Sequence, residues 1–163
     1  MVEVENVSFG YAAGGFRLNV PHLKLEAGER LAIVGPSGSG KTTLLNLIAG
    51  ILTPASGRID VDGTEVTALN DTARRRFRAS HIGFVFQDFA LLDYLSARQN
   101  IFYPYRITPA LRLDAAARDR AEALAEACGI GDKLDRHPTA LSQGEQQRVA
   151  ICRALITQPK LIL

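Results

Sequence analysis

The run LAIVGPSGSGKTTLLNLIAG, residues 31–50, constrains the fold of this chain more than any other stretch. It opens as a short continuous apolar segment closed by glycine, the pattern of a strand buried on both faces. It then passes Gly35, Gly38 and Gly40 and enters a mostly apolar helix through Leu44, Leu45, Leu47 and Ile48, stopped by Gly50 and, beyond it, Pro54. Strand, glycine loop and helix in that order predict an α/β architecture.

Residues 35–42, GPSGSGKT, fit the pattern G-x-x-x-x-G-K-[ST]. At ordinary glycine usage, a chance match in a chain of this length is on the order of one in a hundred. The residue types suit a polyphosphate. Crowded anionic oxygens are held best by backbone N–H groups converging at a helix N-terminus, where the dipole also favours negative charge. Gly35, Gly38 and Gly40 permit positive φ and close approach of the backbone, so that successive amides form a concave nest. Ser37, Ser39 and Thr43 complete the candidate loop. Lys41 supplies a mobile positive charge to β- and γ-phosphates, and the Thr42 hydroxyl is a candidate Mg²⁺ ligand. A glycine turn that merely joins a strand to a helix would leave the lysine unexplained.

Around this loop the chain alternates. Val2, Val4 and Phe9, then Leu18, Val20, Leu23 and Leu25 with Pro21 as a break, predict antiparallel strands, and in SGRIDVDG Ile59 and Val61 alternate between turn glycines. IGFVFQ predicts a second buried strand ending at Gln87. The character then turns helical: DAAARDRAEALAEACG places Ala117, Ala121, Leu124, Ala125 and Cys128 on one face, with Asp114 as N-cap and Gly129 as stop. A last helix starts at Ser142, where SQGE has the spacing of a capping box, and runs to about Thr157 before Pro159 opens a terminal strand.

With 163 residues, 47% hydrophobic and 22% charged, the chain has material for one globular domain with a core. The net charge of +2 lacks the footprint of a dedicated nucleic-acid binder. One local run, DTARRRFRAS, carries Arg74, Arg75, Arg76 and Arg78 on a short predicted helix; it suits a solvated face, or contact with acidic headgroups or a partner protein. No signal segment opens the chain, and no apolar run approaches membrane-spanning length, so a cytosolic location is expected. Cys128 and Cys152 lack metal-site spacing and read as small core residues.

The phosphate loop alone is shared by kinases, GTPases and helicases. The stretch LSQGEQQRVAICRAL, residues 141–155, narrows the choice: it resembles the signature helix of ABC-transporter ATPases. Tyr11 falls where that family has its adenine-stacking aromatic, and Gln87 where it has its Q-loop glutamine. The motif order and FVFQD are most similar to the ATP-binding subunits of lipoprotein-releasing and macrolide exporters. The resemblance implies a P-loop NTPase core with an antiparallel β-subdomain and an inserted α-helical subdomain. It divides the chain into core and β-subdomain at 1–87, helical subdomain at 88–140, and signature helix with the start of the Walker B strand at 141–163.

What the resemblance implies for function follows residue by residue. ATP and Mg²⁺ are the expected cofactors, with Gln87 touching the metal or the attacking water. Ser142, Gln143, Gly144 and Glu145 form the signature, which departs from the common LSGGQ at its third and fifth positions but keeps the serine and the fourth-position glycine. It acts in trans on ATP held by the opposing subunit of a head-to-tail dimer. PKLIL, residues 159–163, corresponds to a strand that in the family leads into an aspartate and a glutamate. The domain is therefore expected to be incomplete at this end, with its catalytic acids after Leu163 and none of the catalytic residues within the chain. His22, His81 and His137 do not match the family's switch histidine.

Residues 87–105 hold five of the eleven aromatics, which suit either a helical core or a surface for a partner helix. By resemblance the partner is a membrane permease, met around Phe89 and Tyr94 on the inner face of the plasma membrane. Two rivals stand beside an ABC-transporter subunit: a DNA-repair or chromosome ATPase of the same superfamily, and a non-hydrolysing nucleotide-sensing module. The first normally carries long coiled-coil or zinc insertions, for which the interval here is short and has no paired cysteines.

Overall fold

The computed structural model describes residues 1–12 and 14–163, which divide into two compact units, Met1–Arg75 and Arg76–Leu163. In the first unit, β1 (Val2–Gly10) pairs antiparallel with β2 (Arg17–Leu25) on one side and with β3 (Ser56–Val61) on the other; β4 (Thr64–Glu65) closes a short hairpin, giving the order β2-β1-β3-β4.

The inward residues of β1 are Val2, Val4, Val7 and Phe9. Strict alternation would turn Val7 outward. Asn6 takes the left-handed conformation, φ 50°, and the register with β3 shifts between Glu5 and Ser8, so the bulge resets the phase and returns Val7 to the core. Gly57, φ 93°, faces the bulge, where a Cβ would stand 2.4 Å from the Asn6 carbonyl oxygen. Pro21 does not break β2 as the sequence predicts. The strand runs through it at the sheet edge, with paired residues on either side at Val20 and His22, and an edge strand tolerates the missing N–H.

Helix α1 (Lys41–Ile48) packs on β3 and buries Leu44, Leu47 and Ile48 in the same core as Ile59 and Val61. Each such side chain contributes about 1.5–3 kcal/mol through removal from water. Gly50, φ 64°, ends the helix as expected. The predicted strand before the loop is different: residues 31–34 join no ladder, and Val34 is 90% exposed. An apolar run forms a buried strand only where neighbours take up its N–H and C=O groups, and none of the four strands of this sheet adjoins it.

Helix α2 (Asp71–His81) crosses the boundary and leads into the second unit. There β5 (Ile82–Gly83) is followed by α3 (Ala97–Ile101), α4 (Tyr103–Ile107), α5 (Ala115–Ala127), α6 (Gln143–Leu155) and β6 (Leu161–Ile162). β5 and β6 are parallel, and their ladder continues through the Val85 N–H to the Leu163 carbonyl at 2.9 Å. The strand predicted to reach Gln87 thus ends early, and Gln87 opens a turn.

The core of this unit gathers Ala97 and Ile101 of α3, Ala121 and Ala125 of α5, Val149 and Cys152 of α6, with Ile130, Leu134 and Ile156. The predicted caps form: the Asp114 carboxylate accepts the Ala117 N–H at 2.8 Å, and Gly129 takes φ 67°. Cys152 is buried in the core, and burial, followed by the Cys128 thiol beside it, pushes its thiol up to about 12. Among the described residues no helix is long and apolar enough to cross a membrane.

Candidate functional site

In the first unit the glycine loop meets the start of α1. Gly38 and Gly40 take φ 78° and 96°, the left-handed region that an L side chain rarely adopts. A Cβ on Gly40 would also stand 2.8 Å from Phe16 Cζ and 3.2 Å from Leu18 Cδ1. Gly40 is the N-cap of α1, no side chain caps the helix, and its first turn holds no acidic residue. The amides and dipole of that turn are left for an acceptor from outside.

Lys41 folds over the loop. Its Nζ donates to the carbonyls of Gly35 at 2.7 Å and Pro36 at 2.8 Å, and reaches Ser39 Oγ at 3.5 Å. Thr42 is exposed, while Thr43 is buried with its hydroxyl 3.2 Å from the Tyr11 hydroxyl. Tyr11 is half exposed, set edge-on to Phe9 at 4.9 Å and tilted against Phe16 at 5.8 Å. Tyr11 and Phe16 therefore form an aromatic ledge beside the loop. Ser37, Gly38 and Ser39 are exposed.

In the second unit α6 begins at Ser142 with the predicted capping box. Ser142 Oγ accepts the Glu145 N–H at 3.3 Å, and the Glu145 carboxylate accepts the Ser142 N–H at 2.7 Å and its hydroxyl at 2.8 Å. The Ser142 amide, then its hydroxyl, hold the Glu145 carboxyl below the usual carboxylate range. Gln143 and Gly144 are exposed, with the Arg148 guanidinium beside Gly144.

Gln87 is exposed in the turn 87–90. Phe89 and Ala90 both have positive φ, 60° and 45°, and the Phe89 N–H donates to Phe86 O at 3.0 Å. Arg153 of α6 donates to the carbonyls of both, 2.5 Å to Phe89 and 2.6 Å to Ala90. Burial lowers the Arg153 pKa, opposed by Tyr103 and Asp88. Just beyond, the fully buried Asn100 side chain accepts the Leu92 N–H and donates to the carbonyls of Leu92, Leu95 and Ser96, fixing the segment that presents Tyr94, 73% exposed.

Residues 18–163 match the ABC transporter family. The chain belongs to that family. Among its ABC relatives, the lipoprotein-releasing system ATP-binding protein LolD of Pseudomonas fluorescens is 47% identical over 143 residues, covering 86% of this chain and 61% of that protein. The macrolide export ATP-binding/permease protein MacB of Syntrophobacter fumaroxidans is 40% identical over 167 residues, covering 99% of this chain and 23% of that protein. A solved structure, the dimeric post-hydrolysis state of the ATP-binding cassette MJ0796 bound to ADP and Pi, is 34% identical with a TM-score of 0.86, covering 99% of this chain and 72% of that one. The family, the exporter-type likeness and the α/β P-loop fold expected from the sequence are thereby established.

The first unit brings Tyr11, the glycine loop, Lys41, Thr42 and Thr43 of this ABC chain together; the second holds Gln87 and the signature residues. Three residues escaped the sequence reading. Phe16 lies after a glycine pair, outside any periodic run. Asn100 is a polar residue that becomes fully buried, which composition does not announce. Arg153 sits within the signature stretch, but its reach to the turn 87–90 spans more than sixty residues of sequence.

Proposed function

We propose that this chain is ATP-binding material of an ABC transporter subunit that couples ATP binding and hydrolysis to transport by a membrane permease. The observation that carries the reading is the start of α1: glycines at φ 78° and 96°, no side-chain cap, and Lys41 folded onto the carbonyls of Gly35 and Pro36. A phosphate brings the acceptors that these donors lack, and Lys41 swings from the carbonyls to the anion. Tyr11, with Phe16 beside it, supplies a ring face for adenine.

For Mg²⁺ we infer, from the family resemblance, two neutral oxygens of the kind that complete a phosphate-held shell, the Thr42 hydroxyl and the Gln87 amide oxygen. The metal would neutralise charge on the β- and γ-oxygens. Lys41 and the loop amides orient the phosphates; Ser142, Gln143, Gly144 and Glu145 face the nucleotide of a second subunit in a head-to-tail dimer. The surface around Phe89 and Tyr94 meets the permease, and the subunit lies in the cytoplasm against the inner face of the membrane. Residues 1–87 serve as nucleotide core with β-subdomain, 88–140 as helical subdomain and 141–163 as signature helix leading to the Walker B strand.

Hydrolysis needs carboxylates to anchor the metal and polarise water, and these are expected after Leu163. We infer that nucleotide binding belongs to the loop and Lys41, and that turnover draws on those carboxylates as well; loss of a general base alone removes a factor of about 10²–10⁴ in rate. Calorimetry with ATP tests the reading. Binding that Lys41→Ala weakens supports it; no binding at millimolar ATP, or equal binding by Lys41→Ala, overturns it. Phosphate release equal to that of a chain extended beyond Leu163 overturns the account of turnover.

A further inference from the structure

We propose that Arg153 is a positioning residue for Gln87: its guanidinium holds the turn 87–90 in a left-handed backbone geometry and ties that turn to the helix that begins at Ser142. The role of Gln87 toward Mg²⁺ rests on the function proposed above; the clamp itself does not.

The turn carries two successive non-glycine residues at positive φ, Phe89 and Ala90. An L residue with a Cβ pays a steric cost there, so the geometry persists only where its surroundings impose it. The surroundings are two carbonyl oxygens presented to one cation. Arg153 Nη2 donates to Phe89 O and Nη1 to Ala90 O, the two branches of a planar fork on two consecutive carbonyls. A lysine ammonium carries no such fork.

The cation has little alternative. Arg153 is partly buried, and among the described residues no carboxylate lies within ion-pair distance of it. The two carbonyls replace its lost water. The core residues of α6 are Val149 and Cys152, and the Arg153 guanidinium is not among the apolar groups of that core; it ends on the two carbonyls of the turn.

The connection has a direction. Ser142 caps the first turn of α6 and Arg153 lies in its last. A helix of this length transmits motion as a rod about 20 Å long. Displacement at Ser142, Gly144 and Glu145 therefore reaches the carbonyls two and three residues after Gln87. An event at the signature end is mechanically linked to the glutamine within one unit of one chain.

Amide hydrogen exchange in the 163-residue chain tests this, with Arg153→Lys, Arg153→Met and each combined with Ala90→Gly. Both single variants should speed exchange of amides 86–92 by about tenfold or more while α5 and the first two turns of α6 keep their protection. Ala90→Gly, which needs no help to hold positive φ, should shrink the effect. Unchanged exchange at 86–92, or a rise shared equally by α3, α5 and α6, would show that Arg153 only packs or only stabilises. The same variants should lower the Mg²⁺-dependent part of ATP affinity as Gln87→Ala does and leave metal-free affinity intact. Equal ATP binding by Lys41→Ala would defeat the functional reading and leave the exchange result to decide the clamp.

Discussion

Helix α1 starts at Gly40 with no side-chain cap and no acid in its first turn, whereas α6 starts at Ser142 with both halves of a capping box and Glu145 in its first turn. Both helix starts are glycine-containing, and both are expected to face phosphate. Their chemistry differs. No side chain caps the first turn of α1, and Lys41 rests on the carbonyls of Gly35 and Pro36. The Ser142 amide and hydroxyl of α6 already have an anionic acceptor, the Glu145 carboxylate. Within one chain, the first turn of α1 has no side-chain acceptor, while at α6 the Ser142 N–H and hydroxyl are already taken by Glu145. The contrast separates an uncapped helix start from one whose cap is supplied by its own residues.

Substitutions in the loop should have the largest effects. Gly40→Val puts a β-branched side chain at φ 96° and 2.8 Å from Phe16 Cζ, so nucleotide binding measured by calorimetry should be lost. Lys41→Ala removes charge-assisted hydrogen bonds worth about 1.5–3 kcal/mol, roughly a ten- to hundredfold weakening of ATP affinity, with little change in thermal stability. A loop that bound as tightly without its lysine would erase the distinction between α1 and α6.

At α6 the expectation reverses. Ser142→Ala should cost about 1 kcal/mol of stability in denaturant unfolding and leave ATP affinity of the isolated chain unchanged. The capping box also makes a smaller pH-dependent contribution. Because the folded Glu145 carboxyl lies below its ordinary value of 4.5, its contribution is present above that value and lost as pH falls through the folded one. Glu145→Gln keeps an acceptor at the same place and should flatten this part of the acid-unfolding profile. The smallest effect is expected at Val34, 90% exposed and outside any ladder: Val34→Lys should change stability by less than about 0.5 kcal/mol.

Local signals made much of this readable in advance. The Ser142 capping box, the Asp114 cap and the Gly50 and Gly129 stops are each set by a few neighbouring residues, and each forms. What sequence patterning missed depends on partners distant along the chain. Residues 31–34 have the composition of a buried strand, but a ladder needs neighbours, and composition does not supply them. Pro21 reads as a break until β2 is known to be an edge. The spacing of Val4 and Val7 is three, and only the left-handed Asn6 explains why both point inward. Lys41 was singled out by the loop pattern and Tyr11 by the family resemblance, and the structure brings both to the start of α1. Phe16 and Arg153 were not singled out, since their partners, Gly40 and the carbonyls of Phe89 and Ala90, are joined to them only by the fold.

The most direct test of the difference between the two helix starts is a residue-resolved amide NMR titration of the chain with ATP. The account predicts that amides 37–43 shift on binding, with the Lys41 side chain, while amides 142–146 stay where they are. Shifts concentrated at 142–146, or an unmoved loop in the presence of bound nucleotide, would contradict it.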